Sequence, residues 1–155
     1  MRRFLLILTL ALLALSPSTA LEQQPPRKLK VHISVDMEGV AGAVTGDQLG
    51  PAGFEYGRFR EFMTREALAA IEAAKEAGAT EIVVADAHGN GENLLIDQLP
   101  ADVRVIRSWP RRLGMVAGID DSVNAAIFIG YHAGTTTSLA FAPTLFPAPP
   151  SHVSR

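Results

Sequence analysis

The sequence predicts an α/β fold, a mainly parallel sheet flanked by helices, on three observations. Short apolar runs rich in β-branched residues recur along the chain, and each run is a candidate strand. A long segment between the first two runs has the apolar spacing of an amphipathic helix. The runs are almost continuously apolar rather than alternating, which is typical of parallel strands that are covered on both faces.

The strands and the helix follow in order along the chain. Apolar residues recur at helical spacing from Phe59 to Ala74, and Gly78 is placed to end that helix. A glycine-rich loop over residues 39–57 precedes the helix, and a short turn or helix is expected around residues 113–116. The predicted strands are Val31–Val35, Glu81–Ala85, Val103–Ile106 and Ala125–Ile129.

Residues 1–20 have the pattern of a secretory signal peptide. Arg2 and Arg3 precede an apolar run from Phe4 to Leu15, and small residues then lead to a cleavage point near Ala20. The run is shorter than the roughly 20 residues that span a bilayer, and an uncleaved membrane anchor is the alternative. We therefore expect a secreted, periplasmic protein without stable membrane association after cleavage.

The rest of the chain divides into a linker, a domain and a tail. Residues 21–30 are polar and include Pro25 and Pro26, as expected of a linker. Residues 31–135 contain all the predicted strands and form the domain. Residues 136–155 are rich in proline, which has no backbone N–H to offer a helix interior or a sheet.

Composition excludes several classes of function. The net charge is −2, from 14 basic and 16 acidic residues, which argues against a nucleic-acid partner because such proteins usually carry a basic patch. The chain has no cysteine, so a catalytic thiol and a thiolate zinc site are both excluded. An exported domain without disulfides must be stabilised by its core or by a metal.

Side chains that can bind a metal follow three of the predicted strands. Asp36 and Glu38 follow the first, His88 follows the second and His132 follows the fourth. Ligand sites in open parallel sheets form beyond the carboxyl ends of the strands, so we expect these residues to converge. Two carboxylates and two imidazoles suit zinc, or a pair of zinc ions bridged by a carboxylate. Zinc lowers the pKa of a bound water to about 7, so the pattern indicates hydrolysis.

Each of these side chains also has a purely structural interpretation. Asp36 could cap the loop that follows it, and Glu38 could simply be solvated. His88 and His132 could pack at the end of the sheet. Asp86, the last residue before the second loop, is expected to cap that loop, or else to orient His88 through a hydrogen bond.

Other candidates are weaker. His32 lies inside the first strand and His152 lies in the tail, and a non-functional role is expected for both. The glycines at 39–42 and 89–91 lack the Lys-Ser/Thr of a P-loop and the spacing of a dinucleotide fingerprint, which argues against a phosphate-binding domain.

At the metal-binding positions the sequence resembles the DppA family of D-aminopeptidases. The likeness runs through SVDMEGVAG at Ser34–Gly42, through Phe62–Gly89 and through AAIFIGYHAGT at Ala125–Thr135. It implies a binuclear zinc exopeptidase of α/β fold. Such an enzyme removes N-terminal residues, in some members D-amino acids, from short peptides, and assembles into closed homo-oligomeric rings.

The resemblance also implies a role for each site residue. Asp36 matches the carboxylate that bridges the two zinc ions, and Glu38 matches a ligand of one of them. His88 and His132 match the two histidine ligands. Asn93 stands at the family's asparagine position, which implies a part in substrate binding.

The sequence departs from the family pattern after Thr135. The family continues with a catalytic histidine and with a glutamate as the remaining zinc ligand. Here Pro143 stands where the histidine is expected, and no glutamate follows Glu92. We therefore expect a DppA-like fold whose C-terminal part is missing through truncation or a frameshift, with no catalytic residue assigned. A natural short variant is the alternative.

Two functions follow from this pattern. The first is a zinc aminopeptidase acting on short peptides, impaired by the missing part and holding one zinc ion or none. The second is a non-catalytic exported fragment that binds a metal or a peptide.

Overall fold

The computed structural model describes residues 28–134 of the 155-residue chain. The predicted signal peptide, most of the linker, and the proline-rich tail with His152 lie outside the described residues and stay predictions. Within residues 28–134, no helix combines the length and the hydropathy needed to cross a membrane.

Four strands form a single sheet, in which every pairing is parallel. The central strand β1 pairs with β2 on one side and β4 on the other, and β3 lies beyond β2. Val35 at the end of β1 is level with Asp86 and with Ile129, so three strands end side by side. The predicted parallel α/β fold is confirmed. The strands are β1 (Lys30–Val35), β2 (Glu81–Asp86), β3 (Arg104–Ile106) and β4 (Ala125–Ile129).

The helix α1 (Tyr56–Glu76) connects β1 to β2 and covers one face of the sheet. Its buried side chains recur three or four residues apart, as the sequence predicts, and include Met63 and Ile71, both fully buried. Burying a side chain of this size contributes roughly 1.5–3 kcal/mol. Gly78 follows the helix with φ 91°, a conformation that glycine adopts without strain. The core lies between α1 and Val31, Ile33, Val35, Ile82 and Val84 of the sheet.

The opposite face of β1 and β2 is covered by an irregular segment, residues 113–120, which contains the 3₁₀ turn Gly114–Val116. His32 is fully buried beneath it, with Nε2 2.9 Å from the Ala117 carbonyl oxygen. A Cβ on Gly118 would overlap the side chain of Ile106, so the backbone of the segment lies directly on the sheet. Within the described range, this face is therefore covered by a tightly packed turn, in agreement with the short turn or helix expected around residues 113–116.

Candidate metal centre

The carboxyl ends of β1 and β4 are joined by backbone contacts. The Asp36 N–H donates to the Ile129 carbonyl at 2.8 Å, and the Gly39 N–H donates to the Gly130 carbonyl at 2.7 Å. Gly130 has φ 67°, and a Cβ there would overlap the Asp36 carbonyl oxygen. Only glycine fits at this crossing. The segments that supply Asp36, Glu38 and His132 therefore approach as closely as their backbones allow.

Asp36, Glu38 and His132 form a group that could hold a metal ion. One ligand atom from each side chain lies within 4.8 Å of the others. Asp36 is buried, Glu38 is partly buried and His132 is exposed. Oxygen and nitrogen ligands bonded at about 2.0–2.2 Å to one zinc ion lie no more than about 4 Å apart. The group therefore has the right chemistry for a zinc site, and small movements of its side chains would bring the ligand atoms to zinc distance.

His88 reaches the same two carboxylates from the end of β2. Its Nδ1 lies 3.1 Å from Asp36 Oδ1 and 2.9 Å from Glu38 Oε2. Its Nε2 lies 2.6 Å from the Leu49 carbonyl oxygen, and because a carbonyl only accepts, Nε2 donates. Metal-binding histidines commonly donate their other ring N–H in this way. The Leu49 carbonyl thus orients Nδ1 toward the place where a metal would be bound.

These short contacts govern the charges of the cluster. Burial disfavours a charged His88, but hydrogen bonds with Asp36 and Glu38 outweigh burial and raise the pKa of His88 to about 10. Burial alone would raise the pKa of Glu38, but hydrogen bonds with His88 and Asp36 lower it to about 2. Burial raises the pKa of Asp36 above its usual value. Without a metal, a proton on His88 balances the carboxylates, and a zinc ion would replace that positive charge.

Asp86 caps the loop that carries His88. Its Oδ2 accepts the backbone N–H groups of Asn93 and Leu94 at 2.5 and 2.7 Å. Its Oδ1 accepts Nδ2 of Asn93 at 2.8 Å. These contacts agree with the expectation that Asp86 caps this loop. Asp86 is connected to His88 indirectly, because Asn93 bonds to both residues.

Asn93 is buried beneath the same loop. Its Nδ2 also donates to the His88 carbonyl at 2.5 Å, and its Oδ1 accepts the Tyr56 hydroxyl at 2.6 Å. Both amide hydrogens are therefore used inside the fold, which favours a role in positioning the His88 loop. A direct contact between Asn93 and a substrate stays a prediction.

The loop that presents the Leu49 carbonyl is held by Gln48, a residue that the sequence interpretation did not identify. Gln48 Oε1 accepts the backbone N–H groups of Val44 and Thr45 at 2.6 and 2.9 Å, and its Nε2 donates to Glu55 at 3.1 Å. The spacing Thr45-x-x-Gln48 is that of a capping box, and this signal could have identified Gln48. A backbone carbonyl such as that of Leu49 has no corresponding signal.

Tyr131 holds the loop that carries His132. Its hydroxyl lies 2.7 Å from Ser34 Oγ, and Ser34 Oγ donates to the Met115 carbonyl at 2.6 Å. Because Ser34 gives its hydrogen to Met115, Tyr131 donates to Ser34. The Tyr131 ring also packs edge-on against Phe128, with 5.3 Å between the ring centroids. The segment before His132 is therefore anchored to the face of the sheet that faces away from α1.

A cavity of about 330 Å³ opens beside the cluster, with Glu38 and His88 in its wall. Residues of the loop from Gly46 to Pro51 form a second wall, and Asn90 also lines the cavity. An occupant of this cavity would be in contact with Glu38 of the metal-binding group and with His88 beside it.

Comparisons with known proteins bear on the family to which this chain belongs. The profile of a family described as D-aminopeptidase matches residues 29–145, a range that extends past the boundary expected at residue 135. The D-aminopeptidase of Bacillus subtilis (strain 168) is 36% identical over 109 residues, which cover 70% of this chain and 40% of that protein. The solved structure of the Zn-dependent D-aminopeptidase DppA from Bacillus subtilis, described as a self-compartmentalizing protease, matches with a TM-score of 0.68.

That structural match has 36% sequence identity and covers 70% of this chain and 40% of the other. This chain therefore spans about 40% of the length of the relatives it matches. The family profile covers all of the residues that form the sheet and the metal-binding group, and the resemblance to this family is confirmed. The chain belongs to the D-aminopeptidase family.

Proposed function

We propose that this chain binds zinc through Asp36, Glu38, His88 and His132. We further propose that it supplies this part of an aminopeptidase that removes N-terminal residues, D-amino acids among them, from short peptides. The observation that supports the metal site is the approach of ligand atoms from Asp36, Glu38 and His132 to within 4.8 Å of one another. Membership of the D-aminopeptidase family supports the reaction.

Zinc bound here would polarise the scissile carbonyl and lower the pKa of a bound water to about 7. The chain's own residues would prepare that site. Asp36 is buried against His88 and would be the carboxylate that two ions share, as the resemblance implies, while the Leu49 carbonyl fixes the imidazole of His88. His132 is the exposed member of the group, so a substrate would approach the cluster from the side on which His132 lies.

A second candidate function is an exported fragment that binds a metal or a peptide without catalysis. The sequence favours it in one respect, because Pro143 stands at the position where the resemblance places a catalytic histidine. In that case the zinc site would form without that histidine.

We also propose that the protein acts in the periplasm and assembles into a homo-oligomeric ring. The pattern of residues 1–20 supports export. The description of the Bacillus subtilis relative as self-compartmentalizing supports the ring.

Calorimetric titration of the metal-free protein with zinc, followed by assay of D-alanyl peptides, tests these proposals. We expect saturable zinc binding and zinc-dependent release of the N-terminal residue, both lost in His88→Ala. Glu72→Gln, an exposed change on α1, is the control and should leave both intact. Zinc binding without hydrolysis would replace the enzyme by the binding fragment, and an absence of zinc binding would overturn the metal site.

A further inference from the structure

The cavity beside the metal-binding group is larger than a small substrate side chain requires. Its volume is about 330 Å³. An apolar cavity of roughly 150 Å³ is already enough to bind benzene. Small-molecule pockets begin at about 300 Å³. The space therefore accommodates a branched or aromatic side chain, and not only a methyl group.

Two glycines in the cavity wall have no requirement in the fold itself. A Cβ added to Gly46 or Gly50 would meet no heavy atom within 4 Å, and neither residue has positive φ. Other glycines of the same loop differ, because a Cβ on Gly53 would overlap the backbone of Asp47 and Gly42 has φ 90°. Neither backbone conformation nor packing therefore explains glycine at positions 46 and 50. Their lack of a side chain leaves room in the cavity.

The wall that contains these glycines is fixed in place. Leu49, between them, is buried, and its carbonyl accepts the hydrogen bond from His88. Gln48 is also buried and bonds to the backbone of Val44 and Thr45. These contacts hold the loop against the rest of the fold, so side chains added at positions 46 and 50 would take up room in the cavity.

The lining indicates the chemistry of the occupant. Leu49 and Pro51 offer apolar surface next to the glycines, while Glu38 and His88 lie at the end that adjoins the metal-binding group. A peptide whose apolar side chain occupied this space would have the backbone of that residue near Glu38 and His88. A peptide whose N-terminal residue is bound there would have its first peptide bond close to the cluster.

We propose that this cavity is the specificity pocket for the N-terminal residue, that it accepts large apolar side chains such as those of leucine and phenylalanine, and that Gly46 and Gly50 provide the room for them. This inference rests on the proposed peptidase function. Its test can be made without turnover, because binding of a ligand to the pocket can be measured directly.

The experiment follows the backbone amide signals of the ¹⁵N-labelled full chain during titration with phenylalaninamide and alaninamide, each as both enantiomers. We expect at least one enantiomer of phenylalaninamide to shift the signals of Leu49 and Gly50. Gly50→Leu should weaken that binding about tenfold or more and change alaninamide binding less than about threefold. Gly57→Leu is the matched control, because a Cβ on Gly57 also meets no atom within 4 Å, and it lies outside the cavity.

The inference is overturned if phenylalaninamide leaves the Leu49 and Gly50 signals unchanged, or if its binding survives Gly50→Leu. A parallel zinc titration separates this failure from that of the proposed function. Zinc binding without phenylalaninamide binding would reject the pocket alone. Phenylalaninamide binding without zinc binding would reject the metal site and leave an apolar ligand site.

Discussion

His88 is the side chain on which the geometry of the centre most depends, because both of its ring nitrogens are engaged. Nδ1 contacts Asp36 and Glu38, while Nε2 donates to the Leu49 carbonyl. A rotation of the ring would break contacts on both sides. The position of the Leu49 carbonyl therefore matters for metal binding, although the Leu49 side chain offers no ligand.

Gln48→Ala tests this dependence. The change removes the hydrogen bonds from Gln48 to Val44, Thr45 and Glu55. We expect Gln48→Ala to lose about 1–3 kcal/mol of unfolding free energy, because it leaves buried groups without hydrogen-bond partners. Loss of a group that orients a metal ligand typically costs about 10–100-fold in metal affinity. Urea unfolding and zinc calorimetry measure the two effects.

Gln98→Ala is the control, because Gln98 lies exposed in the 3₁₀ turn Ile96–Gln98. Its unfolding free energy should stay within about 0.5 kcal/mol of wild type. If Gln48→Ala unfolds more easily but binds zinc with wild-type affinity, the Leu49 carbonyl does not position His88.

The sequence predicts the four candidate ligands at this scale because each lies within a few residues of the end of a strand. Asp36, Glu38 and His132 do meet, and His88 lies against the same carboxylates. The sequence does not predict the partners of His88, since a backbone carbonyl from a distant loop leaves no residue pattern. It also does not reveal that Asn93 is buried with both amide hydrogens used.

At the scale of elements, the contact between the ends of β1 and β4 forms the centre. These strands are separated by almost the whole domain, yet Gly39 and Gly130 bring their backbones into direct hydrogen bonding. Strand and helix positions follow from apolar periodicity, which is local. The neighbours of each strand, and the turn on the second face over residues 113–120, depend on distant contacts that periodicity does not contain.

Gly130→Ala should therefore disrupt both the fold and the metal site. Gly130 has positive φ, and its Cβ would also overlap the Asp36 carbonyl oxygen. Left-handed backbone alone costs a non-glycine residue about 1–2 kcal/mol, and overpacking adds roughly 1–3 kcal/mol. Gly78→Ala separates the two effects, because Gly78 has φ 91° and open space around it.

We expect Gly78→Ala to lose about 1–2 kcal/mol of unfolding free energy, with normal zinc affinity. Gly130→Ala should lose clearly more, and its zinc affinity should fall. Equal losses of unfolding free energy in the two variants, measured by urea unfolding, would show that the contact with Asp36 is unimportant.

At the scale of the whole molecule, the proposed metal binding would be linked to folding. The candidate ligands come from three segments that are far apart in the chain and meet only when the sheet is formed. The unfolded chain cannot offer them at ligand spacing, so binding energy adds to the stability of the folded state. With no cysteine in the chain, disulfides do not contribute.

Zinc at about 100 times its Kd should therefore stabilise the protein by about 2.7 kcal/mol. For a domain of this size each kcal/mol shifts Tm by roughly 4–8 °C, so the increase should be about 10 °C or more and should be reversed by a chelator. Glu38→Gln should lose most of the increase, and Glu72→Gln should keep it. An equal increase in Glu38→Gln would place the stabilising ion elsewhere.

The most direct measurement is the position of zinc in crystals grown with the metal, found by anomalous scattering at the zinc absorption edge. We predict a peak bounded by Asp36, Glu38 and His132, with ligand distances of about 2.0–2.2 Å and with Nδ1 of His88 turned toward the same ion or a second one. A peak at another part of the surface, or no peak in crystals saturated with zinc, would contradict the assignment of this cluster as the metal centre.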